Sequence, residues 1–432
     1  MEQLTGLIGI LLMLGAAYGM SNNRKAINWR LVASGLTLQL LFALFILKTS
    51  WGQGLFHTLG IAVETLLDFS DKGAGFVFGA LVSQPDTMVE LFGPGGDFIF
   101  AFTLVATIIF VSTLVGIAYH VGLMQWVVKQ IAWVIYRIMG ASGAEVLSNT
   151  ASVFVGQVEA QLLIKPYIAT LTMSELLTVM TGSMACIAGG VMAIYIKIGI
   201  PAEYLMAASM MAIPGALVIA KMVYPETEVS QTRGEVKIEL EKKTVNLIDA
   251  AAHGASDGMK IGINVCAMLI GFIALIGLLD FLLVQAGQGV SSMLFAGQGV
   301  EFLGLDLNNL TLDSVLGVVF YPIALIMGVP AVDASAAASL MGTKMVVNEF
   351  VAYSQLAPMI QAGGLDPKTV TIVTFALCGF ANFSAIAIQI GGIGEMAPSR
   401  KADLARVGFT AMICGTMASY VSASIAGILT SF

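Results

Sequence analysis

Residues 146–164 read VLSNTASVFVGQVEAQLLI, an apolar run that reaches a polar break at Gly156-Gln157-Val158-Glu159. Whether this run crosses a bilayer or turns back decides the fold. Crossing as a helix takes about 20 apolar residues. Candidate runs occur at 3–21, 31–48, 98–119, 146–164, 176–197, 204–221, 261–283, 314–332, 369–394 and 407–431. The segments between them differ in sign. Arg24, Lys25 and Arg30 follow the first run, and Lys221, Arg233, Lys237, Lys242, Lys243 and Lys260 fall within 221–260. Arg400, Lys401 and Arg406 precede the last run. By contrast, 51–97 has Glu64, Asp68, Asp71, Asp86, Glu90 and Asp97 against Lys72, and 284–313 has no lysine or arginine. The positive-inside rule puts the basic segments in the cytoplasm and the acidic ones outside.

Parity then constrains the path. Between the cytoplasmic segments at 24–30 and 221–260 the number of crossings must be even, yet five runs lie there. Between 221–260 and 400–406 there are three. One run in each half therefore turns back, which lipid permits only where protein shelters the broken backbone. The runs at 146–164 and 314–332, with their continuations, fit that role. The second reaches Gly328-Val329-Pro330 and then Asp333, so Asp333 is expected near the tip of the second hairpin. The order hairpin, helix, helix occurs twice, entering from opposite sides, and such an inverted repeat places a solute site near the membrane midplane.

The expected fold is an all-α integral membrane protein with eight transmembrane helices plus two re-entrant hairpins in an inverted repeat. An amphipathic surface helix is expected near 121–138, with both termini outside. The expected division is 1–143 as scaffold helices and interfacial helix and 144–222 as the first transport repeat. A cytoplasmic loop, a long scaffold helix and an outer loop take 223–312, and the second repeat takes 313–432.

Composition agrees with lipid as the solvent. Hydrophobic residues make up 57% and charged ones 11%, with mean hydropathy +0.89, whereas soluble domains carry about 25% charge. The 47 glycines suit helices packed closely in a membrane. A net charge of −7 without a basic arm excludes nucleic acid as a partner. Cys186, Cys266, Cys378 and Cys414 lie in apolar stretches with no CxxC pair, so reduced thiols are expected and zinc is not. His57, His120 and His253 are far apart and are read as interfacial residues rather than ligands. The N-terminus lacks a basic start and a cleavage site, so it is read as a retained first helix.

A long motif narrows the reading. Gly342-Thr343-Lys344-Met345-Val346-Val347-Asn348-Glu349-Phe350-Val351-Ala352-Tyr353 matches the G-x-K-x3-N-E-F-V-A-Y motif of the concentrative nucleoside transporters at every fixed position. Supporting matches are Ser21–Ile27, Phe98–Phe102, Val155-Gly156-Gln157 with Glu159, Ile187–Val191 and Ala376–Asn382. The chain resembles that family over essentially its whole length. The resemblance implies a homotrimer in the cytoplasmic (inner) membrane whose subunits import nucleosides with sodium or protons.

It also implies roles. Positions matching Gln157 and Glu159 face the base, and those matching Glu349 and Asn382 face the ribose. Phe380 and Val191 supply apolar walls. These residue types suit the task. A glutamine offers a carbonyl and an amide group, and a carboxylate accepts strong bonds from hydroxyls. Gln157 and Asn382 also have a bland reading, as groups that satisfy backbone freed where helices break. Asn348 either fixes the hairpin or lines the site, and Lys344 either pairs with a carboxylate or snorkels to the interface.

Departures from the family pattern are Val158 for Thr, Gln161 for Pro, Asp333 for Glu and Ala385 for Ser. Val158 and Ala385 each remove a hydroxyl, so both ends of the site are expected to be looser. In sodium-coupled members the residues matching Ser152, Val155, Cys186 and Ile187 help hold the ion, with Asn and Ser where this chain has Ser152 and Cys186. Sodium is the only metal expected, and a thiol is a soft ligand for it. Glu159 is the candidate proton carrier, because a carboxylate in the membrane is costly to keep charged. No cofactor is expected. Gly254-Ala255-Ser256-Asp257-Gly258 fits G-x-S-x-G, but it lacks the strand-turn-helix context of a nucleophile elbow, and an enzyme is not expected. The alternative solutes are a modified nucleoside, a nucleobase or another small polar molecule, and a pore is the alternative class.

Overall fold

The computed structural model describes residues 2–93, 99–232, 244–295, 301–302 and 305–430 and is nearly all helix. Six helical stretches among the described residues are long and apolar enough to cross a membrane: Trp29–Lys48, Ala101–His120, Met173–Lys197, Ala202–Val223, Leu247–Met293 and Pro398–Thr430. Glu301–Phe302 pairs antiparallel with Leu305–Asp306.

The chain opens with α1 (Glu2–Gly19) and α2 (Trp29–Lys48). Asn28 starts α2 by accepting from the backbone N–H of Arg30 and Leu31. The stretch 51–97, read from sequence as an outer loop, is largely helical: α3 (Ser50–Phe78), α4 (Ala80–Ser83) and α5 (Pro85–Phe92). Glycines and acids interrupt its apolar pattern, which hid the periodicity. Even so, α3 buries Gly52, Gly60, Leu67, Ser70 and Ala74 in a helical stripe. Its other side leaves Trp51 86% and Phe76 93% exposed, as expected of a helix covered by lipid or another chain. Next come α6 (Phe100–His120) and α7 (Leu123–Met139). The second is the amphipathic helix expected near 121–138. It buries Val128, Ala132, Ile135 and Met139 and exposes Trp126 and Trp133.

Helix α8 (Gly143–Val155) begins in a capping box made by Ser142 and Glu145 and ends at Gly156. The chain then turns back through a 3-10 segment, Glu159–Ile164, and α9 (Lys165–Ile168). The run at 146–164 is therefore a hairpin. Helix α10 (Met173–Ala185) stops at Cys186, resumes as α11 (Gly189–Lys197), and α12 (Ala202–Val223) follows. Lys221 of α12 pairs at 2.5 Å with Glu145 of α8, closing the base of the hairpin.

The long α13 (Leu247–Phe295) lies along α6. A Cβ added at Gly254 would sit 2.6 Å from the Ser112 carbonyl oxygen, and one at Gly258 would sit 2.7 Å from Ile109 Cα. The G-x-S-x-G match is thus a close helix-packing motif inside α13, not a nucleophile elbow.

The rest is α14 (Leu312–Ile326), α15 (Ala334–Val346), α16 (Glu349–Gln361), α17 (Pro367–Leu377), α18 (Phe383–Met396) and α19 (Lys401–Thr430). Element by element these follow α7 to α12: a leading helix, a helix ending at a break, a returning element, a helix interrupted midway and a final helix. The counterpart of Gly156–Val158 is Val347–Asn348. The bend at Gly328–Asp333 joins α14 to α15 at the far end. Asp333 is therefore not near the tip that carries Glu349, since the 13 residues of α15 separate them by about 20 Å of helix rise. Glycine and proline marked the one bend in sequence, whereas the other falls among β-branched residues without either.

Candidate functional site

Three breaks meet inside the protein: Val347–Asn348, the gap between α17 and α18, and the gap between α10 and α11. Gly379 makes the last two touch. Its φ is +125°, and an added Cβ would lie 2.7 Å from the carbonyl oxygens of both Met184 and Ala185.

Each break in the second repeat starts a helix with an asparagine. Asn348 accepts from Val351 N–H at 2.9 Å, so its side chain caps α16. Asn382 accepts from Ala385 N–H at 2.9 Å and from the Ser384 hydroxyl at 2.7 Å. With its carbonyl so committed, Asn382 turns Nδ2 to Glu349 Oε2 at 3.1 Å. The Tyr195 hydroxyl of α11 donates to Glu349 Oε1 at 3.0 Å. Glu349 is buried, and each of its oxygens keeps capacity for a further donor. Val191 lies one turn before Tyr195 on the same face of α11. Phe380 accepts the Asn382 N–H at 2.8 Å, so it stands beside the carboxylate's partner. The structure thus gathers Glu349, Asn382, Phe380 and Ala385 with Tyr195 of α11.

Tyr195 was missed from sequence, because a tyrosine in an apolar run reads as packing. Its one legible signal is the four-residue spacing from Val191. Lys344 adopts neither expected role. It is fully buried, forms no ion pair among the described residues, and donates to the Ala376 carbonyl at 2.9 Å, near the end of α17. Asp333 accepts from Asp366 N–H at 2.9 Å and from the Thr369 hydroxyl at 2.7 Å, tying its bend to the start of α17.

The tip of the first hairpin docks on α18. Val158 packs so closely on Gly392 that a side chain there would collide with it. Gln157 Oε1 accepts from Gln389 Nε2 at 3.3 Å. Glu159 is exposed, with a carboxylate oxygen folded over Gly156.

Behind the tip lies a closed polar cluster. Ser148 donates to Gln161 Oε1 at 2.7 Å, and Gln161 Nε2 donates to Ser183 Oγ at 2.6 Å and to the Gln157 carbonyl at 3.3 Å. Ser152 Oγ lies 3.1 Å from Ser183 Oγ and donates to the Ser148 carbonyl at 2.9 Å. The Cys186 thiol donates to the Gly182 carbonyl at 2.8 Å. An added Cβ at Gly189 would lie 3.2 Å from the Phe154 carbonyl oxygen, so the ends that carry Val155 and Ile187 pack together. Among the described residues no group of three His, Cys, Asp or Glu side chains could hold a metal.

Three family models match successive parts of the chain: the N-terminal part of Na+ dependent nucleoside transporters at 8–81, a nucleoside recognition domain at 101–202, and their C-terminal part at 204–427. An uncharacterised transporter of Bacillus subtilis, YutK, is 42% identical over 429 residues, 99% of this chain and 100% of its own. The chain belongs to the concentrative nucleoside transporter family. Mouse sodium/nucleoside cotransporter 1 is another relative, 38% identical over 99% of this chain and 64% of its own length. Among solved structures, CNTnw in an inward-facing substrate-bound state superposes with a TM-score of 0.90 at 39% identity, covering 100% of this chain and 98% of that one. A CNTnw variant in an outward-facing state superposes with 0.91 at the same identity and coverage. This family member is a multi-pass membrane transporter and not an enzyme.

Proposed function

We propose that the chain imports nucleosides across the cytoplasmic (inner) membrane as a symporter, working as a homotrimer with both termini outside. The observation that carries this reading is Glu349, a buried carboxylate where broken helices meet, gripped by Tyr195 and Asn382 with lone pairs left for a sugar's hydroxyls. Glu349 and Asn382 take the ribose, Phe380 and Val191 wall the ring, and Gln157 and Glu159 meet the base. Each repeat with its hairpin acts as the transport part, and α1 to α7 with α13 act as the scaffold.

For coupling we favour protons over a fully formed sodium site. Sodium prefers hard oxygen ligands. The hydroxyls of Ser152 and Ser183 instead bond each other, Ser183 also accepts from Gln161, and Cys186 offers sulfur. Glu159 is the proposed proton carrier. Uptake of a labelled nucleoside panel into proteoliposomes, with sodium and proton gradients imposed separately, tests both parts. Accumulation of a nucleoside under a proton gradient without sodium is expected. Strict sodium dependence would overturn the coupling assignment, and uptake of nucleobases alone would overturn the solute.

A further inference from the structure

One face of α18 runs from the sugar end of the site to the hairpin tip. Asn382, Ala385, Gln389 and Gly392 are spaced three, four and three residues apart, so they share that face. From Asn382 to Gln389 the helix rises about 10 Å, a span comparable to a ribose joined to a base. Glu349 is held at one end of this ruler, and Gln157 at the other.

Gln389 is fully buried. Its Nε2 donates to the Met180 backbone carbonyl at 3.4 Å and to Gln157 Oε1 at 3.3 Å. A carbonyl oxygen can only accept, so the contact with Met180 fixes which end of the Gln389 amide is nitrogen. That in turn fixes Gln157. Its oxygen faces Gln389, and its NH2 points away from α18 with no partner among the described residues. The backbone of Gln157 is held as well, since its carbonyl accepts from Gln161. Gln389 Oε1 has no partner among the described residues. The Gln389 amide nitrogen thus bridges the Met180 backbone and the hairpin tip, contacts that an apolar side chain of the same length could not make.

We propose that Gln389 is a positioning residue that locks Gln157 as a hydrogen-bond donor toward the solute. The transporter then selects bases that present an acceptor at that edge: the oxo bases of uridine and inosine rather than the amino bases of cytidine and adenosine. This rests on Gln157 facing the base, as proposed above.

Equilibrium binding to the purified full-length protein in nanodiscs tests it with two pairs, uridine against cytidine and inosine against adenosine. Wild type should favour the oxo member by about tenfold or more, the scale of one unmatched hydrogen bond in a dry site. In Gln389→Met, Gln157 is free to flip and the ratio should fall to within about threefold. The ratio of uridine to 3′-deoxyuridine, read at the Glu349 end, should stay unchanged. A merely structural role for Gln389 would lower all affinities together. If Gln389→Met does not fold, Gln389→Asn, one methylene short of Gln157, replaces it. Nucleoside binding without an oxo preference, or a preference that survives both variants, overturns this inference alone. Absence of binding by all four overturns the nucleoside reading and this inference with it.

Discussion

Glu349 has two donors in hand, and replacing it by Gln keeps its shape while removing the charge that strengthens bonds to hydroxyls. Glu349→Gln should weaken nucleoside binding by roughly 1.5–3 kcal/mol, the range for a hydrogen bond to a charged group. Tyr195→Phe removes one donor and should cost about 1 kcal/mol through looser placement of the carboxylate. Titration of a confirmed substrate against both variants measures this, and unchanged affinity in Glu349→Gln would make the carboxylate structural. At this scale the sequence was legible where polar residues stand in apolar surroundings. Glu349 stands out because a stranded carboxylate is costly in a membrane, whereas Gln157 and Asn382 stand out through the family resemblance. Tyr195 and Lys344 do not, because their roles depend on partners such as Glu349 and Ala376 that only the fold brings near.

Among elements, the breaks do most to shape the site, and Gly379 is the most exacting position in them. Gly379→Ala would put a methyl against two carbonyl oxygens at a backbone angle that L residues avoid. It should destabilise the protein by more than about 2 kcal/mol. Gly391→Ala, in α18 with open space around it, should be neutral or stabilising by up to about 1 kcal/mol, since alanine favours helix. Thermal unfolding of the purified protein compares the two, and equal stability of both variants would refute the close contact of the breaks. The hairpin at 146–164 and the surface helix near 121–138 were readable from parity and amphipathicity. The helix at Ser50–Phe78 was not, because its glycines and acids mask a stripe that packing alone makes decisive. The tip at Val347–Asn348 escaped for the opposite reason, as β-branched residues do not mark a turn.

For the whole molecule, the proposed orientation follows from where basic residues gather, and side-specific labelling measures it. With Cys266 replaced by Ala, Val229→Cys should react with a membrane-impermeant maleimide only from the cytoplasmic side, and Asn309→Cys only from outside. Val229 is 90% exposed and Asn309 is also exposed, so access is not limited by burial. Reaction of both from one side would remove the proposed topology. The exposed apolar rings of α3, with Trp51 and Phe76, are what the proposed homotrimer in a bilayer would cover.

The contact at Gly379 also has a bearing on biosynthesis. Its partner carbonyl at Ala185 leaves the ribosome 194 residues earlier (379 − 185). At an elongation rate of about 5–20 residues per second, the first break waits roughly 10–40 s for the segment that shelters it. Through that interval, freed backbone groups sit in or beside the bilayer without their final cover. The nascent first repeat therefore passes through a stage at which shelter from an insertase or chaperone would substitute for the missing second repeat.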